Sequence, residues 1–389
     1  MYIHKKIIMY IEGAVFISSY LYVESMQKIR SLINENNIAN GEKLPSFNEL
    51  ADTFGVSLIT IRRAIKNMVS ANELISRRGS GVFVAGSPSA PRLKAMGNIC
   101  ILMPFGNNAF GQAQILSGAV EELQNHGYKV SIKDISFTGC KEREVLSQTV
   151  DEDPEGIIYF PMHIDFVQDL LVILEAEKKS IVLVDKESME FNLPFVVSAN
   201  YNGGYLATNH LLKKGHRHIA FVSPWGINEA CSVRNRFAGY CAALKEAGQK
   251  IEKSMIVPDY VNLFKQSRPI ADKYTQENEE KDLEKMVERL RSSGATAVFS
   301  VNDEVAYMIL AAARRINIKI PEDMSVVGFD NLDASAHLEC PLTTIAQDFR
   351  AIGVKAAGIL ESIVSKKPNV PMRNLVPVKL VERHTVIQV

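Results

Sequence analysis

From Asn98 onward the chain repeats one unit, a short apolar run followed by a stretch with helical periodicity. The first run, NICILMP at 98–104, is almost continuously apolar, as in a parallel strand covered on both faces. Behind it Ile115, Ala119 and Leu123 recur at helical spacing up to Gly127. Further strands are expected at 156–160, 181–185, 218–223, 296–301 and 325–329, with helices at 165–177, 203–214, 233–247, 282–292 and 303–316. This βαβ alternation specifies an α/β fold with a doubly wound parallel sheet. The strands are too many for one sheet of usual width, so two lobes with a cleft are expected. No GxGxxG opens a helix after the first strand and no GxxxxGK[ST] occurs, which removes the main support for nucleotide binding.

In open parallel sheets ligands settle beyond the carboxyl ends of the strands. Those ends carry Phe105, Asn107, Asn108 and Phe110, then Met162 and His163, then Asp185 and Lys186. Arg236 ends the stretch after the fourth strand, and Asn302–Asp303 and Asp330–Asn331 follow later ones. Such groups suit a sugar. Hydroxyls need paired donors and acceptors, a guanidinium bridges two of them, and aromatic faces cover the apolar side of a ring. Other readings stay open: Asp303 or Asp330 as a cap, Arg236 as a structural ion-pair partner, His163 facing solvent. His216 and His218 are expected to pack, and the only tryptophan, Trp225, is a candidate for ring stacking. No residue trio supports nucleophilic or metal chemistry, so neither catalysis nor a cofactor is expected.

The preceding residues follow a different grammar. Met26, Ile29 and Ile33 mark one face of a helix. Ser46 stands three residues before Glu49, a capping-box spacing, and opens a helix that turns Leu50, Ala51 and Phe54 inward and stops at Gly55. Ser57 caps a third helix with Ile61, Ile65 and Met68 inside and Thr60, Arg62, Arg63 and Lys66 outside. This is a helix-turn-helix pattern, whose second helix enters the major groove of double-stranded DNA. Residues 74–78, the turn Gly79-Ser80-Gly81 and residues 82–85 read as a hairpin wing with Arg77 and Arg78 at its rim. Across 57–86, Arg62, Arg63, Lys66, Arg77 and Arg78 face one acid, Glu73, although the whole chain balances 44 basic against 44 acidic residues. A basic module on a neutral body suits phosphate, with a plain solvated face as the alternative.

The stretch GEKLPSFNELADTFGVSLITIRRAIKNMV, followed by LISRRGSGVFVAG, closely resembles the DNA-binding domain of the GntR regulator family. The resemblance implies that Ser46, Ser57, Thr60 and Gly81 touch phosphates while Arg62, Arg77 and Arg78 approach bases or backbone. Arg63 on the same helix and Gly79 in the wing turn join that surface. The family commonly carries Glu-Arg after the LPS serine and Arg after the capping serine. Here Phe47, Asn48 and Leu58 stand there, so a different operator is expected. Farther on, VVSANYNGGYLATNHLLKKGHRHIAFVS, SVRNRFAGYCAALKEAG, FSVNDEVAYMILAAARRINIKIPEDMSVVGFDN and PLTTIAQDFRAIG resemble the effector domain of the LacI/GalR repressors. That domain is similar to periplasmic sugar-binding proteins. It implies that Arg236, Asn302 and Asp330 grip a sugar, that Asp185 and Phe110 are secondary contacts, and that 341–347 lie near the inter-lobe crossover and a dimer interface. The combination, also found in the arabinose repressors of bacilli, implies a homodimeric regulator that binds operator DNA and answers to a monosaccharide. Repression is the expected sign. A sensor that serves only dimerisation, and a transport receptor, are the alternatives.

The expected organisation is an extension at 1–20, a winged helix-turn-helix at 21–86, a linker at 87–97 and an effector and dimerisation domain at 98–389. The seam GSPSAPR resists the short helix of LacI-type linkers, since Pro88 and Pro91 lack donors and Pro91 disfavours helix at Ala90. A semi-extended tether is expected there, so the signal would pass through dimer geometry. Cys100, Cys140, Cys231, Cys241 and Cys340 show no metal or CxxC spacing, which favours a reduced cytoplasmic compartment, with Cys100 and Cys241 in the core. Lys5-Lys6 before the apolar run 7–23 imitates a signal peptide, but Glu12 interrupts it. A start placed too far upstream, or an added strand, is the expectation. No stretch reaches the length of a membrane span, and no membrane partner is expected.

Overall fold

A computed structural model describes residues 25–389 apart from 27, 34–35, 37, 40, 71–72, 78–80, 85–95, 106–109, 137–138, 188–189 and 263–275. The chain divides into two compact units, Met1–Leu93 and Lys94–Val389. The extension at 1–20 and nearly all of the expected linker lie outside the described residues.

In the first unit, residues 25–26 and 28–33 are helical. Helix α1 (Phe47–Phe54) starts at Ser46, whose side chain accepts from the Glu49 amide while Glu49 accepts from the Ser46 amide. Gly55 ends it in the left-handed region at φ 65°. Helix α2 (Leu58–Ser70) is capped by Ser57, whose Oγ accepts from the Thr60 amide at 3.2 Å. Strands β1 (Leu74–Arg77) and β2 (Gly81–Val84) pair antiparallel. Residues 41–44 also run beside β2, with Leu44 N–H donating to Val82 O and Val84 N–H donating to Glu42 O. Ile29, Leu50, Ile61, Ile65, Met68, Leu74 and Val82 close one core, which holds the two helices against the hairpin.

The second unit begins with β3 (Met96–Met103), α3 (Phe110–Asn125), β4 (Tyr128–Asp134), α4 (Gly139–Asp151), β5 (Gly156–Tyr159), α5 (Gln168–Ala176), β6 (Ile181–Val184) and β7 (Phe195–Ser198). It continues with α6 (Asn200–Lys213), β8 (Ile219–Val222), α7 (Cys231–Glu246), β9 (Ile256–Val257), α8 (Gln276–Ser292), β10 (Ala297–Ser300), α9 (Asp303–Arg315), β11 (Ser325–Asp330) and β12 (Thr343–Ala346). Then α10 (Phe349–Val364) and β13 (Arg373–Val376) return to the first lobe, and β14 (Lys379–Val381) rejoins the second. The first sheet runs β13-β7-β6-β5-β3-β4 and is parallel throughout. The second runs β14-β12-β11-β10-β8-β9, parallel except for β14. The chain therefore crosses between lobes three times, after β7, after β12 and after β13.

Apolar strands covered on both faces explain the layers. One cluster on the first sheet joins Ile99, Ile101 and Val182 to α3 and α10; the other joins Cys100, Leu102 and Leu183 to α4 and α5. The second lobe has one continuous core around Phe221, Tyr240, Phe299 and Phe329. The expected helix at 165–177 is split into a 3-10 turn, Ile164–Phe166, and α5, while α8 starts at Gln276, well before the expected 282. Two packing expectations need correction. Cys241 is only partly buried, and His218 is exposed with Nδ1 3.4 Å from Glu252, whereas His216 is buried and bonds Thr296 Oγ1 at 3.0 Å.

Helices α6 and α7 cross at glycines. A Cβ on Gly204 would stand 2.0 Å from Arg236 O, and one on Gly239 would stand 2.1 Å from Tyr201 O. Backbone this close cannot yield to a methyl without moving a whole helix. Gly239→Ala should therefore lower stability by about 1–3 kcal/mol or more, as overpacking does, read as a shifted denaturant midpoint. An unchanged midpoint would show that the crossing is looser than these distances require.

Candidate functional site

A cavity of about 580 Å³ opens between the lobes of the second unit, walled by Phe160, Met162, His163, Asp185 and Lys186 on one side and Trp225, Arg236, Asn302, Glu304 and Asp330 on the other. Its size falls in the range of small-molecule sites, about 300–1,000 Å³. The walls are the carboxyl ends of β5, β6, β10 and β11, as the parallel-sheet rule requires.

Arg236 projects from the second turn of α7 and is buried. Its Nε donates to Asn200 Oδ1 at 2.9 Å and its Nη1 donates to Val301 O at 2.7 Å. The guanidinium lies 3.6 Å from the ring centre of Phe329, and Nη2 is 3.6 Å from Asp330 Oδ1. Burial pulls its pKa down and the carboxylate of Asp330 pushes it back up. Asp330 accepts from Gln347 Nε2 at 2.6 Å, and burial, opposed by Arg236, pushes its pKa up to about 7. Its φ of 120° lies outside the regions that L residues normally adopt, and Asp185 sits at φ 62°. Strained backbone of this kind costs about 1–3 kcal/mol and collects at working sites.

Asn302 lines the cavity while its Oδ1 accepts from the Val305 amide at 3.0 Å, so it caps α9 and keeps its amide group for other partners. Asp303 is not the cap. It is fully buried, accepting from Leu332 N at 2.9 Å, Ser335 Oγ at 2.6 Å and Thr344 Oγ1 at 2.5 Å, and so ties α9 to the loop after β11. Trp225 lies half-exposed on the wall. Phe105 stands outside the lining, its amide donating to Asp134 Oδ1 and Ser136 Oγ, and the side chain of Phe110 lies outside the described residues.

Several participants had no place in the sequence reading. Glu142 is a fully buried carboxylate that accepts from Tyr159 Oη, from the amides of Met162 and His163, and from His163 Nδ1, all between 2.6 and 2.9 Å. A signal did exist: Glu142 shares the inner face of α4 with Leu146 and Thr149. Glu187 reaches across the lobes, accepting from Asn235 Nδ2 at 2.7 Å while its amide meets Cys231 Sγ at 3.3 Å. Glu304 lines the cavity with its pKa raised by burial and by Asp303.

In the first unit Ser46 and Ser57 serve as helix caps, and Ser57 Oγ also bonds Thr60 Oγ1 at 2.8 Å. Arg62 and Arg63 are exposed on α2. The one acid of the segment, Glu73, is bound on both oxygens by Arg30 at 2.7 and 2.8 Å, which leaves the basic surface without that opposing charge. Gly81 adopts φ 114°. Arg78, Gly79 and the side chain of Arg77 lie outside the described residues.

Residues 21–84 match the family model of the bacterial regulatory proteins of the gntR family, and 208–386 match that of the periplasmic binding protein-like domain. The chain thus carries a GntR-type domain followed by a periplasmic-binding-protein-like domain. The chain is 27% identical over 346 residues to the arabinose metabolism transcriptional repressor of Halalkalibacterium halodurans, covering 88% of each chain. It is 26% identical to the transcriptional regulator DegA of Bacillus subtilis, covering 87% of this chain and 96% of that one. A LacI family regulator from Enterococcus faecium with bound ribose shares its fold at a TM-score of 0.59 and 22% identity, covering 75% of this chain and 99% of that one. These relatives are transcriptional regulators, not enzymes.

The pKa of Asp330 gives a sign to its pH response. Its folded value of about 7 stands above the usual 3.8, so between those limits the folded state binds more protons than the unfolded one. Stability drawn from this group is thus present at low pH and lost as pH rises toward 7. Asp330→Asn lacks this slope. Denaturant midpoints at pH 5 and pH 8 should show the wild type losing ground to the variant, and parallel curves would refute the assignment.

Proposed function

We propose that the regulator binds operator DNA through its first unit and that a monosaccharide in the inter-lobe cavity sets its operator affinity. The observation that carries this reading is Arg236. A buried guanidinium, fixed by Asn200 and Val301 and laid on Phe329, stands beside a carboxylate at the wall of a ligand-sized cavity. Two adjacent hydroxyls match such a donor and acceptor pair, and Trp225 and Phe160 offer apolar faces for the carbons of the ring.

Asn302 and Asp185 extend the set of polar partners, with Phe105 and Phe110 as aromatic candidates beside them. On the DNA side, Arg62 and Arg63 with the wing residues Arg77, Arg78, Gly79 and Gly81 form the contact surface, and Ser46, Ser57 and Thr60 orient the helix starts toward phosphate. A homodimer places two such surfaces on a near-palindromic site in the cytoplasm, and the sugar weakens repression by changing their spacing. The required coupling is about 1–3 kcal/mol. Among the described residues no helix is long and apolar enough to cross a membrane.

Operator binding titrated against a panel of pentoses and hexoses, including L-arabinose, tests the proposal directly. One sugar should shift the affinity about 5- to 150-fold. Arg236→Ala should abolish that shift and leave operator affinity in place. No shift with any sugar would sink the sensor reading, and loss of operator binding in the variant would assign Arg236 to folding alone.

A further inference from the structure

The most exposed large hydrophobic side chain among the described residues is Ile59, at 78%. It lies in the first turn of α2, the helix whose outer face carries the basic groups. At 3.6 residues per turn, Lys66, Arg63 and Arg62 stand about 20°, 40° and 60° from Ile59 around the helix, whereas Ile61, Ala64, Ile65 and Met68 stand about 120° to 180° away. The latter four are buried and the former three exposed, so Ile59 belongs to the middle of the exposed face.

The polar side chains of the same turn are engaged elsewhere. Ser57 Oγ accepts from the Thr60 amide at 3.2 Å and bonds Thr60 Oγ1 at 2.8 Å, so both hydroxyls are drawn into the cap. Leu58 is partly buried and packs on the core. In a recognition helix the N-terminal residues meet base edges, and here the residue presented forward is a branched hydrocarbon. A single exposed hydrophobe is ordinary on a protein surface. This one differs by its place, on the axis of a cationic face at the end of the helix that enters the groove.

We propose that Ile59 is a specificity-determining residue that packs on the 5-methyl group of a thymine in the major groove. Among the base edges there, that methyl is the apolar feature a side chain without donors or acceptors can read. The inference rests on the DNA-binding reading of α2 and adds one base preference to it, while the arginines supply the attraction to phosphate.

The test deletes the methyl from each side in turn. Duplexes are selected from a random double-stranded library by the full-length protein, and each dT of the selected site is then replaced singly by dU, which removes the methyl and keeps the pairing. For the wild type, at least one position per half-site should lose about fourfold in affinity, the factor for burying one methyl-sized group. Ile59→Ala should bind the original duplex more weakly by a similar factor, with dU at that position costing nothing further, and its thermal midpoint should match the wild type. A selected site with no methyl-sensitive position, or a variant as sensitive to dU as the wild type, overturns the assignment to Ile59 alone. Failure of the wild type to bind any selected duplex overturns the DNA reading beneath it.

Discussion

Placing a guanidinium away from water is expensive, and the second unit is organised around doing so at Arg236. An uncompensated buried charge costs several kcal/mol, which only well-placed partners offset. Here the partners come from separate parts of the chain: Asn200 at the start of α6, Val301 at the end of β10, Phe329 and Asp330 at the end of β11. The crossing of α6 and α7 at Gly204 and Gly239 brings Arg236 within reach of Asn200. Asn200 follows the first inter-lobe crossing, and Gln347, which holds Asp330, lies in the second. The polar centre of the cleft is thereby joined to two of the three crossings between the lobes.

Much of this was legible beforehand. Continuous apolar runs at 98–104, 181–185 and 325–329 do become parallel strands covered on both faces, because a strand with no polar side has nowhere else to go. Ser46–Glu49, Gly55 and Ser57 punctuate the first unit as their capping chemistry demands. The cavity forms at strand ends, and Asp185, Arg236, Asn302 and Asp330 all line it.

What escaped reading depends on long-range pairing. Asp303 sits where a helix cap is expected, yet Asn302 takes the cap and Asp303 accepts from Leu332, Ser335 and Thr344, about 30 to 40 positions later. Glu187 and Asn235 are distant in sequence, and neither interrupts a local pattern, so nothing local announces a bond between lobes. Residues 41–44 lack strand periodicity, and their place beside β2 is set by long-range backbone bonds and by Leu44 in the core shared with Val82 and Val84. Ile59 lies off the apolar stripe of α2, among its basic groups, so the periodicity that marks the core does not mark it.

Glu142 separates two properties that are usually entangled. It holds Met162 and His163 chiefly by their main-chain amides, from beneath, while the Met162 side chain faces the cavity and is half-exposed. The course of that loop therefore owes little to which side chain occupies position 162. A lineage can exchange that side chain, and with it the shape offered to a ligand, while the lobe beneath keeps its fold.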